Sequence, residues 1–151
     1  EFDSDSIIVA EMSSHQLEYL NVSPHIGIIL NLYEDHLDHA LSVEHYHACK
    51  MNMFQYQTEE DIGIYSSLND TLVNKVKNGN YKSKFYVVDL NSELYFDDGK
   101  RKLLGHHNLL NIHITMLVAH LFSLDLKKAK NTIDAFTGLP HRLELFTIMI
   151  R

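Results

Sequence analysis

Four short apolar runs constrain the fold of this chain more than any other feature. Residues 7–10, 26–30, 62–66 and 85–88 are each of strand length, rich in Ile and Val, and bounded by polar or turn-forming residues. A run that is apolar throughout, and not at every second position, fits a strand covered on both faces, as in a parallel sheet. Helical patterns lie between the runs. Over residues 43–57, Tyr46, Cys49, Met53 and Tyr56 recur at helical spacing, with Ser42 placed to cap the start. Residues 71–78 form a shorter amphipathic pattern, begun by Asp70 and ended near Gly79. Strands alternating with helices predict an α/β fold built on a parallel sheet.

After residue 88 the pattern changes. Residues 93–96 and 100–104 flank Asp97-Asp98-Gly99, which predicts a small antiparallel β-hairpin unit. Residues 109–124 are apolar nearly all round and predict a buried helix. Residues 127–136 predict another, capped by Asp125 and stopped by Gly138 and Pro140. The expected organisation is a partial central domain over residues 1–138, with residues 139–151 starting a linker toward a further domain.

Composition narrows the function. The chain has 151 residues, 45% of them hydrophobic, enough for a buried core. Its net charge of −7 and scattered Lys and Arg argue against a nucleic-acid partner. The densest basic group, Lys127, Lys128 and Lys130, has the pattern of a solvated helix face. The most apolar stretch, residues 112–124, contains His113 and His120 and is too short for a bilayer span. Cys49 is the single cysteine, so no intrachain disulfide forms, in keeping with a cytoplasmic location. The acidic start, EFDSDS, lacks both an initiator Met and the basic front of a signal peptide. The natural chain is therefore expected to be longer.

Several clusters carry chemistry, each with a plainer alternative. Glu11 follows the first apolar run, where ligands of open α/β sheets bind and where a carboxylate suits Mg²⁺; the plainer reading is that it starts a helix together with Ser13. The segment Asn31–Asp38, NLYEDHLD, follows the second run and sets His36 among acidic side chains. Its imidazole suits a second metal, or the whole segment is a solvated loop. A further alternative gathers Asp35, His36, Asp38, His39, His45 and His47 into a His/Asp metal-dependent hydrolase centre. Lys50 sits one helical turn beyond Tyr46. It is either an ion-pair partner or a desolvated amine able to take up CO₂ as a carbamate. Asn108 and Asn111 share one helix face and can pair with an adenine edge, or Asn108 caps the helix. Arg142 offers a fork for phosphate or ribose, or an interdomain ion pair.

In order along the chain these clusters resemble the Mur ligase family. EMSSHQLE is similar to the family's E-x-S-S-[FH]-Q-L-E, NLYEDHLDH to N-x-x-x-D-H-L-D-R, HYHACK to Y-x-x-A-K, GHHNLLN to G-x-H-N-x-x-N, and FTGLPHRLE to F-x-G-L-P-H-R-x-E. The SSHQL and LPHR forms point to the branch that adds D-glutamate to UDP-N-acetylmuramoyl-L-alanine. The resemblance implies an ATP-dependent amide ligase of bacterial peptidoglycan precursor synthesis, working through an acyl phosphate. It implies Glu11 and His36 as ligands of two Mg²⁺ ions, and His36 and a carbamylated Lys50 as catalytic residues. Asn108, Asn111 and Arg142 would contact ATP, and Ser13 and Gln16 the UDP-sugar substrate. His39 stands where the family has Arg, and His113 where small residues are common. A non-catalytic interaction module of the same fold is the alternative.

No G-x-x-x-x-G-K-[ST] phosphate loop occurs in these residues. In the family that loop precedes the Glu11 motif, and UDP-binding and C-terminal domains flank the central one. The expectation is a segment truncated on its N-terminal side, inactive and weak in ATP binding alone, and able to self-associate through an exposed sheet edge.

Overall fold

The computed structural model describes residues 6–33 and 42–139. They form helix α1 (Ser14–Glu18), strand β1 (Ile26–Ile29), helix α2 (Val43–Gln55), strand β2 (Ile62–Ser66), helix α3 (Asp70–Asn78), strand β3 (Lys84–Val88), helix α4 (His106–Leu121) and helix α5 (Leu126–Ala135). The chain separates into two compact units, one up to Tyr86 and one from Val87 onward.

The first unit is the expected α/β sheet, with strand order β1-β2-β3. β1 and β2 run parallel, Ile26 opposite Ile62 and Ile29 opposite Tyr65. This register also pairs Gly27 with Gly63. Both glycines serve close packing. A Cβ on Gly27 would lie 2.8 Å from the Met53 carbonyl oxygen of α2, and one on Gly63 would lie 2.3 Å from the Phe85 ring. The space they free is filled by aromatic rings. Phe54, with no exposed surface, meets Phe85 edge-on at 5.2 Å between centroids, and Phe85 also meets Tyr65 at 5.8 Å and Tyr81 at 5.9 Å. Ile29, Leu32, Met51, Leu72 and Val76 complete this core.

Polar staples fix the ends of these elements. Ser42 caps α2 as expected, its Oγ accepting from the His45 amide at 3.1 Å. Asn69 caps α3 in the same way, one residue before the Asp70 start read from sequence. The Gln57 amide donates to the carbonyls of Pro24 and Ile62, both at 2.9 Å, and so ties the entrance of β1 to that of β2. Asp61 closes the turn before β2 through the Thr58 amide and hydroxyl and pairs with His25 at 2.8 Å. The amide hydrogen bond first, then His25, hold its carboxyl below the usual range.

One strand expectation fails here. Residues 7–10 form no strand, and Ile7, Ile8 and Val9 are 56%, 65% and 93% exposed. An apolar run becomes a strand only by hydrogen bonding to a neighbour, and among the described residues it has no strand beside it.

The second unit is helical. Tyr95, Ile112 and Met116 form its core, packed by Leu94, Leu109, Leu126 and Ile133. α4 starts at Gly105, whose φ of 96° requires glycine, and no side chain caps it. Just past the Phe122 cap of α4, Ser123 lies in the left-handed region, and the Leu124 amide donates back to the Ala119 carbonyl at 2.9 Å. Asp125 then caps α5 as expected, accepting from the amides of Lys127 and Lys128. His113 is buried on α4, with its Nδ1 2.8 Å from the Asp89 carbonyl oxygen.

The expected hairpin is absent: residues 93–96 and 100–104 form no ladder. Gly99 does turn, with φ of 77°. The flanking side chains, however, are engaged elsewhere. Asp97 takes the Gly99 amide at 3.0 Å and the Arg101 guanidinium at 2.5 Å, while Asp98 pairs with Lys100 at 2.8 Å and Lys130 at 3.2 Å. Tyr95 points its hydroxyl at Asp134 of α5, 2.7 Å away. Lys130 therefore does not share the solvated face of Lys127 and Lys128; it reaches Asp134 at 2.5 Å and lies over the Tyr95 ring. Among the described residues, no helix is long and apolar enough to cross a membrane.

Candidate functional site

The first half of α4 and the last turn of α5 enclose a cavity of about 530 Å³ within the second unit. Asn108, Asn111 and Thr115 line it from α4, with His107 at its entrance turn; Thr132, Ile133 and Phe136 face it from α5, and Leu103, Gly138 and Leu139 close the remainder. None of these is an Asp, Glu, Lys or Arg. The cavity thus suits a neutral, largely apolar group with a polar edge.

The spacing predicted that Asn108 and Asn111 share a face, and both line this cavity. Asn108 is buried, and its Nδ2 donates to the Leu104 carbonyl at 2.7 Å. That bond fixes the amide rotor. It also replaces the expected capping role, since the side chain donates to a carbonyl before the helix and accepts no amide at its start. Asn111 is exposed on the cavity wall, and its backbone carbonyl is taken by the Thr115 hydroxyl at 2.8 Å. A fixed amide, a second amide one turn on and the apolar Ile112, Ile133 and Phe136 are the parts that a planar heterocycle with a hydrogen-bonding edge requires.

The other predicted site residues lie in the first unit or outside the described residues. Ser13 and Gln16 form a reciprocal capping box at the start of α1: the Ser13 amide donates to Gln16 Oε1 at 2.8 Å, and Ser13 Oγ accepts from the Gln16 amide at 3.3 Å. Glu11 is exposed, two residues before that cap. Lys50 is half-buried on α2, its ammonium 4.8 Å from the centre of the Tyr46 ring. His36 and Arg142 lie outside the described residues, as do Asp35, Asp38 and His39 of the alternative hydrolase centre. Its other two members part company: His45 faces Glu18, whereas His47, two residues on, is buried beside Tyr46.

One cluster was missed by sequence reasoning. Glu18, His45 and Cys49 bring a carboxylate oxygen, an imidazole nitrogen and the thiol sulfur within 4.8 Å of one another. His45 Nε2 is 3.0 Å from Glu18 Oε1 and 3.6 Å from Cys49 Sγ. Burial, and then the Glu18 charge, push the Cys49 thiol above its ordinary value. The signal was present as His and Cys four apart on a predicted helix, which places both on one face; the pairing of α1 with α2 that adds Glu18 was not readable.

Comparison with known proteins decides the family. A profile of the Mur ligase middle domain matches residues 3–119. The chain belongs to that family. The matched span of this Mur ligase domain holds Glu11, Ser13, Gln16, His36, Lys50, Asn108 and Asn111; Arg142 lies beyond it. The chain is similar to UDP-N-acetylmuramoylalanine--D-glutamate ligases. It is 32% identical to that of Bacillus velezensis over 96% of this chain and 36% of the relative. It is also 32% identical to that of Elusimicrobium minutum, over 98% and 36%, and 31% identical to that of Clostridioides difficile, over 93% and 35%. The chain thus spans about a third of the length of the curated relatives it matches. Among solved structures, a UDP-N-acetylmuramoyl-L-alanyl-D-glutamate--2,6-diaminopimelate ligase aligns with a TM-score of 0.60 at 22% identity, over 85% of this chain and 32% of that one. That likeness supports the Mur ligase fold.

Proposed function

We propose that this chain is part of the central ATP-binding domain, over residues 1–138, of a bacterial cytoplasmic ligase. That ligase joins D-glutamate to UDP-N-acetylmuramoyl-L-alanine in peptidoglycan precursor synthesis. The observation that carries the reading is the α4–α5 cavity with Asn108 and Asn111 on its wall. A nucleobase is neutral, flat and polar at its edge, which matches a cavity lined by amides and apolar side chains and by no Asp, Glu, Lys or Arg. The names of the relatives support the substrates.

In this reading the adenine of ATP occupies that cavity, and Arg142 contacts the nucleotide near the start of the linker at residues 139–151. Glu11 and His36 would hold Mg²⁺, whose charge would offset that of the phosphates. An exposed carboxylate and an imidazole fit an ion that keeps most of its waters. Lys50, deprotonated and combined with CO₂ as a carbamate, would turn a cation into an anion. Ser13 and Gln16, fixed against each other, present the start of α1 toward the UDP-sugar. ATP activates the substrate carboxyl as an acyl phosphate, the amine of D-glutamate attacks it, and amide, ADP and phosphate result. The protein's part is positioning and charge neutralisation. Its phosphate loop lies outside these residues, so the isolated segment neither turns over nor binds ATP tightly. Exposed Ile7, Ile8, Val9 and Ile28 support an incompletely covered sheet whose edge pairs with a second copy.

The test is ligase activity of the full-length protein, with Asn111→Leu compared with wild type. The variant should raise KM for ATP about tenfold, the loss of one or two polar contacts, and leave KM for D-glutamate unchanged. An unchanged KM for ATP would remove the nucleotide from this cavity, and a wild-type enzyme inert toward D-glutamate would remove the substrate assignment.

A further inference from the structure

We infer that Glu18, His45 and Cys49 form a binding site for a single thiophilic divalent cation of the zinc class, separate from any Mg²⁺ bound with ATP. The donor set is one carboxylate oxygen, one imidazole nitrogen and one sulfur. Hard cations such as Mg²⁺ and Ca²⁺ are held chiefly by oxygen and do not take a thiolate, whereas a thiolate beside an imidazole selects zinc and its neighbours.

The spacing fits as well. A tetrahedral ion with bonds of about 2.0–2.3 Å holds its donor atoms roughly 3.3–3.6 Å apart. The sulfur and imidazole nitrogen stand 3.6 Å apart, and the imidazole nitrogen and carboxylate oxygen 3.0 Å. The third edge, from the sulfur to the carboxylate oxygen, lies within 4.8 Å, so closing an ion into this triangle draws the partly exposed Glu18 carboxylate toward the sulfur by up to about 1 Å, with the other two edges changing by a few tenths of an ångström. The scaffold is already fixed. His45 and Cys49 are one turn apart on α2, and Glu18 ends α1, which the Asn52 amide ties to α2 by donating to the Leu17 carbonyl at 3.0 Å.

Burial is graded across the site. Cys49 is buried, while Glu18 and His45 are partly exposed. Solvent therefore reaches one side, leaving a fourth position for water. Binding releases the thiol proton to solvent, and the thiolate and carboxylate together balance the charge of the dication. An ion in place would clamp α1, which Ser13 caps and which carries Gln16, to α2, which carries Lys50.

Cobalt(II) titration of the reduced full-length protein under anaerobic conditions tests this, because a cobalt–thiolate bond has a charge-transfer absorption that histidine and carboxylate ligands lack. One cobalt per chain should bind with that band, zinc should bleach it, and millimolar Mg²⁺ should not. Cys49→Ser should abolish the band, and His45→Gln and Glu18→Gln should each weaken cobalt binding at least about tenfold, with circular dichroism confirming folded variants. Wild-type protein that binds no cobalt, or binds it without the band, overturns the site whatever the variants do. A band that survives in Cys49→Ser, or affinity unchanged in both His45→Gln and Glu18→Gln, overturns it too.

Discussion

The sheet unit and the helical unit carry comparable motifs and use them in opposite ways. In the sheet unit the most family-like string, EMSSHQLE, spends Ser13 and Gln16 on each other at the start of a five-residue helix, leaving Glu11 exposed. In the helical unit the plainer string GHHNLLN places Asn108 and Asn111 on a cavity wall, with Asn108 locked by a single bond to Leu104. The cores differ in the same sense. Among the described residues, the apolar core of the sheet unit is built of aromatic rings nested over two glycines. The helical unit keeps a polar set, Tyr95, Asp134 and Lys130, beside its apolar core. A binding surface can be assembled from residues that also stabilise, but only where their hydrogen-bonding edges are not all consumed locally.

The largest expected effect probes the first core. Phe54→Ala removes a side chain with no exposed surface and three edge-on or near-edge-on ring neighbours, directly or through Phe85. Chemical denaturation should show a loss of about 3–5 kcal/mol, which for a domain of ordinary stability approaches unfolding. A loss under about 1 kcal/mol, the range of a tolerated volume-conserving swap, would mean that the rings are not the support of this unit.

Tyr95→Phe probes the second core and should cost less, about 1–3 kcal/mol, because it leaves Asp134 buried with one partner fewer. It also carries a pH signature. Burial first, then the bond to Asp134, raise the Tyr95 phenol far above its ordinary value. A raised folded value means that the phenol favours the folded state at all pH values below the unfolded value near 10. That contribution is lost as pH rises further. Wild-type melting temperature should therefore fall more steeply above pH ~10 than that of the variant. Parallel curves would show that Tyr95 ionises as freely folded as unfolded.

How much of this was legible follows from what each element depends on. β1, β2, β3 and the caps Ser42 and Asp125 were readable because apolar runs and capping side chains act within a few residues. Residues 7–10 carried the same apolar signal and formed no strand, because a strand depends on a neighbour that its own letters do not encode. The hairpin at 93–104 failed for a related reason. Its turn residues did turn, but Tyr95 and Asp98 found partners on α5, over thirty residues away. The same holds for the sites. That Asn108 and Asn111 share one helix face was readable from their spacing, whereas Glu18 joined His45 and Cys49 only through the packing of α1 on α2.

The smallest expected effect sharpens the contrast at the surface of the helical unit. The bonds from Lys100, and next Lys130, hold the Asp98 carboxyl down at about 2. Its unfolded value is near 3.9, so Asp98 favours the folded state above about pH 4, and that preference disappears as pH falls toward 2. Asp98→Asn should lower the melting temperature slightly at neutral pH. The gap from wild type should close between about pH 4 and 2, and should narrow in ~1 M salt, which screens exposed ion pairs. The gap for the equivalent Asp61→Asn change in the sheet unit should also narrow as pH falls below the unfolded carboxylate value near 3.9 but resist salt more, because its largest support is the Thr58 amide. If salt narrows both gaps equally, the two carboxylates are held by charge alone and the polar stapling of the sheet unit is no different in kind from the ion pairs of the helical one.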